Sequence, residues 1–342
     1  MEINCKVANR STRRIEWLDV AKAFAIICVL IGHSIQYGSG SGNEYSDLFL
    51  NKFIYSFHLP LFMLISGFVF YYSARKISDK RSYFDLIKKK TIQLILPLFA
   101  WSFISLFIRC YIELRGGISI NFIWCIKTLI KSFIGGPWFL QAIYIFSIIV
   151  ILNKCFFKDS IITYVLLFII SFITPDKISF IMQDSYRIGL FKFMFPFFVL
   201  GYIFNADKWS EQYKNIYTNV FFIITVFAIF SLTLMFFTHD TYIYTTNYTL
   251  IRKNIINQLY NDMLRFASGL FGSISILYCI YGVYRFADEN IPKCIIYSGK
   301  NTMGIYIISG YLYSYVLAIV TSSLEGLNYF YMTVETIIIW LI

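Results

Sequence analysis

Asp19, Lys22 and His33 interrupt the first long apolar run of the chain, and each can carry charge or move a proton. Wound as a helix at 100° per residue, the step from Lys22 to His33 is about 1,100°, within about 20° of three full turns. Asp19 lies about 60° from Lys22 on the same side. The three therefore share one stripe, about 21 Å long at 1.5 Å per residue, with the acid and the lysine near one end and the imidazole toward the other. Charge at the centre of a bilayer costs about 2.5–3.5 kcal/mol per Asp, Lys or Arg, so a stripe of this kind marks a functional site by default. His58, another of only three histidines, falls early in the second apolar run, where it reaches a depth like that of His33 if that run returns across the membrane. An imidazole with a near-neutral pKa takes a proton from a hydroxyl and later returns one, which suits group transfer to an alcohol. The structural alternatives are a snorkelling Asp19–Lys22 pair and a His58 that hydrogen-bonds a neighbouring helix.

The elements that must position these residues are set by composition. Of 342 residues, 58% are hydrophobic and 14% charged, against about 25% charged in an average soluble domain. Apolar runs recur throughout, and continuous runs rather than alternating ones predict helices, not a barrel. The expected fold is an all-α transmembrane bundle of about ten helices, with spans at 17–37, 53–72, 92–112, 137–153, 160–174, 188–204, 216–237, 263–284, 301–321 and 329–342. It reads as a single membrane domain over 1–342, with 1–16 as a cytoplasmic N-terminal segment and a last helix that stops short.

Thirty Lys and Arg against nineteen Asp and Glu give a net charge of +11. The basic residues gather in short connections, the pattern of loops meeting anionic lipid, and no free basic module suggests nucleic acid. Lys6, Arg10, Arg13 and Arg14, and then Arg75 to Lys90, place the N-terminus and the 73–91 connection in the cytoplasm. Arg109, Arg115, Lys127 and Lys131 then fall on the outer side, against the rule. The 120–136 stretch reads as amphipathic, lying in the interface or re-entering. Residues 238–262 form the longest outer connection, a solvated loop that can contribute an acceptor surface.

Seven cysteines without a C-x-x-C pair indicate neither a disulfide framework nor a metal site. The Gly38, Gly40, Gly42 run lacks the strand and helix of a phosphate loop and reads as an outer loop. Ser66 with Gly67 suits a close backbone approach, and Ser66 lies about 12 Å along the axis from His58, too far for a dyad. Trp138 reads first as an interfacial residue.

These residues have a familiar order. Arg14-Ile-Glu-Trp-Leu-Asp19-Val-Ala-Lys22 through Gly32-His33, then Phe57-His58-Leu-Pro60-Leu-Phe62 and Ile65-Ser66-Gly67-Phe68, resemble the membrane-bound acyltransferase 3 family. Trp138-Phe139-Leu140, Phe195-Pro196-Phe197-Phe198 through Gly201-Tyr202, and Gly299-Lys300-Asn301-Thr302 through Tyr306 extend the match over nearly the whole chain. The first motif resembles the branch of fucose, capsule and exopolysaccharide O-acetyltransferases. The resemblance implies transfer of an acyl group, usually acetyl from cytoplasmic acetyl-CoA, to a hydroxyl of a surface polysaccharide or lipid-linked glycan, without a metal, by a multi-pass protein of the bacterial inner membrane. It links His33 and the cation at position 22 to activity; together with the stripe, the residues read as His33, Lys22, Asp19 and His58 catalytic, Ser66, Trp138, Asn301 and Tyr306 on the substrate side, and Lys88, Lys89 and Lys90, in a cytoplasmic connection, on the donor side.

Two departures matter. The family motif often has Arg separated from its His by ten residues, where this chain has Lys22, which keeps the charge but loses the planar fork. Relatives often carry a His near the Tyr306 motif, whereas Ser309 and Gly310 stand here. The partners expected are acyl-CoA, a glycan or lipid-linked glycan and membrane lipid, with no nucleic acid. The alternative reading is a transporter of a lipid-linked glycan or similar amphiphile, for which a charged stripe is equally natural.

Overall fold

The computed structural model describes residues 15–38, 48–77, 79–174, 186–205, 208, 220–248, 254–287 and 290–311, and among them every regular element is a helix. In chain order the helices of eight residues or more are α1 (Glu16–Gly38), α2 (Phe49–Ala74), α3 (Lys80–Lys90), α4 (Leu96–Arg115), α5 (Phe122–Ile134), α6 (Trp138–Phe157), α7 (Ile161–Ile173), α8 (Tyr186–Phe204), α9 (Val220–Met235), α10 (Ile255–Phe286), α11 (Lys293–Lys300) and α12 (Thr302–Tyr311). Six described segments are long and apolar enough to cross a membrane: Glu16–Gln36, Phe49–Ala74, Lys80–Arg115, Trp138–Phe157, Arg187–Phe204 and Ile255–Phe286. They coincide with six of the expected spans, and α7 and α9 are shorter apolar helices at two more. The expected span at 329–342, the second half of 301–321 and the basic N-terminal residues lie outside the described residues, as do Gly40 and Gly42.

The described residues form two compact units, one of those up to 54 together with those from 273 on, and one of those within 55–272. In the first, α1 packs against α11 and α12. Trp17 sets its ring edge-on to Tyr281 at 5.2 Å, which anchors the start of α1 to the last part of α10. Gly299 of α11 sits flush on the Asp19 backbone, where a Cβ would stand 2.9 Å from the Asp19 Cα and overlap its carbonyl.

In the second unit, α2 and α8 cross at glycines. A Cβ on Gly67 would lie 2.7 Å from the Tyr202 nitrogen and overlap the Phe198 carbonyl, and one on Gly201 would overlap the backbone of Leu64. Small residues let backbones approach this closely, and dispersion and packing then hold helices together where lipid offers no hydrophobic driving force. Pro60 inside α2 nests against Gly269 of α10, whose missing side chain leaves room for the ring.

The 73–91 connection departs from expectation. It is a short turn followed by α3, which runs through a π-helical turn at Thr91–Ile95 directly into α4. The reason is local. Asp79 accepts from the Ser82 nitrogen at 3.1 Å while the Ser82 hydroxyl accepts from the Asp79 nitrogen at 3.1 Å, a reciprocal cap that starts a helix among charged residues. Within the expected 238–262 loop, Thr241, Tyr242, Ile243 and Tyr248 are buried and α10 begins at Ile255. The 120–136 stretch is the amphipathic helix α5, whose Phe122, Ile123 and Ile130 are exposed.

Candidate active site

In the first unit, Asp19 stands in the opening turn of α1, where an acid complements the positive end of the helix dipole. It is 2% exposed, and its Oδ1 lies 2.6 Å from Lys22 Nζ. The sequence places these two on one face, and the structure joins them as an ion pair. Lys22 retains 19% exposure of its side chain, so the pair is sealed on the acid side and open on the lysine side. A buried pair of this kind adds little net stability, but loss of one partner leaves an uncompensated charge at a cost of about 3–5 kcal/mol.

His33 follows on the same helix, about 16 Å further along the axis. Its Nδ1 is sealed from solvent, and Gln36, nearly one turn on, hydrogen-bonds the imidazole. Such a bond orients the ring and selects which nitrogen carries the proton. Asn301 and Tyr306 belong to the same unit. Asn301 is exposed and ends α11, its Nδ2 donating to the Tyr297 carbonyl at 3.0 Å, while its own carbonyl starts α12 by accepting from the Ile305 nitrogen at 3.1 Å. Its polar atoms shape the turn. Tyr306 is half-buried on α12.

In the second unit, His58 is buried on α2, its ring edge-on to Tyr55 at 4.9 Å, and Tyr55 in turn meets Tyr242 at 5.8 Å. Tyr55, Ser56, Pro60, Phe193, Tyr242 and Arg265 line a cleft of about 20 Å³. That is room for about one water molecule, not for a sugar. Ser66 donates its hydroxyl to the Phe62 carbonyl at 2.8 Å, which matches a packing position beside Gly67 better than a nucleophile. Trp138 is half-buried at the start of α6, edge-on to Phe139 at 5.9 Å and tilted on Phe191 at 6.4 Å. Lys88 and Lys89 are exposed, and Lys90 lies half-buried with its ammonium 5.3 Å from the Phe70 ring centroid.

Two residues that sequence reasoning passed over hold the Trp138 region in place. The last carbonyls of α5 have no partner within their own helix. Arg187 of α8 donates from Nη1 to Ile134 at 2.6 Å and from Nη2 to Gly135 at 2.7 Å, while Gln141 Nε2 donates to Phe133 at 2.7 Å. The cation meets the negative end of the α5 dipole, so charge and hydrogen bonding act together. The available signal was Arg187 beside an apolar run downstream of the Gly135-Gly136-Pro137 turn, but no spacing rule links positions fifty residues apart. Arg265 and Asp262, 3.4 Å apart and both buried, work similarly on α10. Arg265 donates to the Asn247 carbonyl at 2.6 Å and to Thr246, and Gln258 bonds both oxygens of Asp262 at 3.1 Å. This network draws the 240–248 segment onto the helix. Among the described residues no group of three His, Cys, Asp or Glu side chains gathers as a metal site.

The family model of the acyltransferase domain matches residues 15–342. The nodulation protein NolL of Mesorhizobium japonicum is 25% identical over 305 residues, covering 85% of this chain and 74% of the relative. The nodulation protein NolL of Sinorhizobium fredii is 22% identical over 307 residues, covering 85% and 76%. No solved structure matches the chain. A match across all but the first residues, on a chain of long apolar helices, makes this multi-pass membrane protein a member of the acyltransferase 3 family and an O-acyltransferase.

Proposed function

We propose that the chain transfers an acetyl group from acetyl-CoA to a hydroxyl of a surface polysaccharide or of its lipid-linked precursor. The observation that carries this reading is the α1 stripe: a solvent-sealed His33 nitrogen on the same helix as the Asp19–Lys22 pair, in a chain whose family transfers acyl groups. His33 removes the proton of the acceptor hydroxyl as its oxygen attacks the thioester carbonyl. The carbon–sulfur bond then breaks, and the imidazolium returns the proton to the departing thiolate. Low local polarity around the ring strengthens each of these electrostatic contacts.

Lys22 lies too far along the axis to touch the same hydroxyl and is assigned to the donor, near the cytoplasmic end of α1, with Asp19 holding its ammonium in place. Lys88 and Lys89 present free cations that can attract the donor's phosphates, and Lys90 sits behind them on Phe70. Asn301 and Tyr306 are assigned to the acceptor in the unit that holds His33, and Trp138 to acceptor contact in its own unit. His58, edge-on to Tyr55 beside a water-sized cleft, is assigned to passing protons in its own unit. The test is to give detergent-solubilised protein radiolabelled acetyl-CoA and a soluble glycan. Base-labile label in the glycan with stoichiometric CoA release is expected, and no CoA release above a protein-free control with any hydroxylated acceptor would overturn the reading.

A further inference from the structure

α4 and α5 form an antiparallel hairpin closed by the 116–121 turn, with Asn121 capping α5 by accepting from the Trp124 nitrogen at 2.8 Å. Three contacts fix its register. Phe99 meets Phe133 at 5.8 Å, the Ser132 hydroxyl donates to Ser105 at 3.4 Å, and nearer the turn the same register brings Cys110 and Cys125 close enough to interact. The cysteines are thus the next rung of a packed ladder rather than a chance approach. Both are half-buried, so a thiol reagent can reach them.

Their compartment follows from length and charge. Lys80–Arg115 is one continuous helical run, and Cys110 stands twenty residues beyond Lys90. At 1.5 Å per residue this is about 30 Å, the thickness of the hydrocarbon core. With Lys88 to Lys90 at the cytoplasmic face, Cys110 reaches the opposite one. Exposed Arg109, Arg115, Lys127 and Lys131 put this end of the hairpin at the water interface rather than in lipid. Thiols on that side of the membrane meet an oxidising environment.

We propose that Cys110 and Cys125 are an oxidation site that closes into a disulfide between α4 and α5 on the outer side of the membrane. The oxidant is a protein disulfide of an exported thiol oxidoreductase. One cysteine thiolate attacks a sulfur of that disulfide, releasing one thiolate and forming a mixed disulfide. The second cysteine thiolate then attacks the mixed disulfide and releases the other. One sulfur–sulfur bond forms in the hairpin and one breaks in the oxidant, two protons leave the cysteines, and the oxidant becomes a dithiol. The consequence is mechanical: the closed bond fixes α5, whose last carbonyls carry Gln141 and Arg187, and so fixes the approach to Trp138. The proposal stands independently of the acyl-transfer reading.

The test traps the full-length protein in cells with acid, denatures it, blocks free thiols and then labels with a polyethylene-glycol maleimide before and after reduction. Two additional tags per chain after reduction are expected in the parent and in C155S, and none in C110S or C125S. Failure of the parent to gain tags, which is also the outcome if the hairpin faces the cytoplasm, overturns the proposal. So does a gain of two tags that survives in C110S.

Discussion

Gly299 and Asp19 touch backbone to backbone, with no room for a side chain between α11 and α1. The contact sets α11 against the turn that carries the Asp19–Lys22 pair, so a residue outside the stripe controls its position. Gly299→Ala is expected to force the two helices apart. Overpacking of this kind costs about 1–3 kcal/mol, and more when backbone must move. The measurement is thermal unfolding in detergent beside acetyl transfer at equal protein. A variant with parental melting and parental activity would show that the contact is not needed.

The Asp19–Lys22 pair separates a structural role from a chemical one through paired substitutions. Lys22→Met removes the cation beside a buried carboxylate and is expected to destabilise by about 3–5 kcal/mol, whereas the double variant Asp19→Asn, Lys22→Met recovers most of that loss. Acetyl transfer is expected to stay low in the double variant despite its recovered stability, because the ammonium assigned to the donor is gone. Activity that returns with stability would reduce the pair to packing.

Arg187→Lys keeps the charge and loses the fork that spans Ile134 and Gly135. The expected cost is about 1.5–3 kcal/mol for the lost charged hydrogen bonds. Faster hydrogen exchange should be confined to the end of α5 and the start of α6, with KM for the acceptor rising more than kcat falls. Exchange unchanged in that segment would contradict the clamp.

Asp79 provides a pH handle outside the spans. Its hydrogen bonds with Ser82, side chain first and then backbone, hold the carboxyl below its ordinary range. The folded-state value is depressed, so the stabilisation is present above the ordinary carboxylate pKa and is lost as pH falls through the lowered one. Amides in the first turn of α3 are expected to exchange faster, after correction for intrinsic rates, as pH drops through that window. Asp79→Ala should show the faster exchange at every pH.

Much of the fold was legible because apolar runs of membrane length leave few choices. α1, α2, α4, α6, α8 and α10 follow from that alone. Where the sequence misled, a local polar device replaced the expected loop: the Asp79–Ser82 cap started α3, and the Asp262–Arg265 network carried α10 eight residues past its apolar limit. The shared face of Asp19 and Lys22 was readable from helical periodicity, since both lie on one helix. Arg187 and Gln141 were not, because their partners are backbone carbonyls on another helix, and carbonyls carry no sequence signature.

The most direct measurement is acetyl transfer by His33→Ala, in membranes with abundance matched to the parent by immunoblot. Removal of a general base typically costs about 10²–10⁴ in rate. We expect glycan acetylation to fall at least about a hundredfold with membrane abundance unchanged. Acetylation at the parental level would contradict the assignment of the proton transfer to His33.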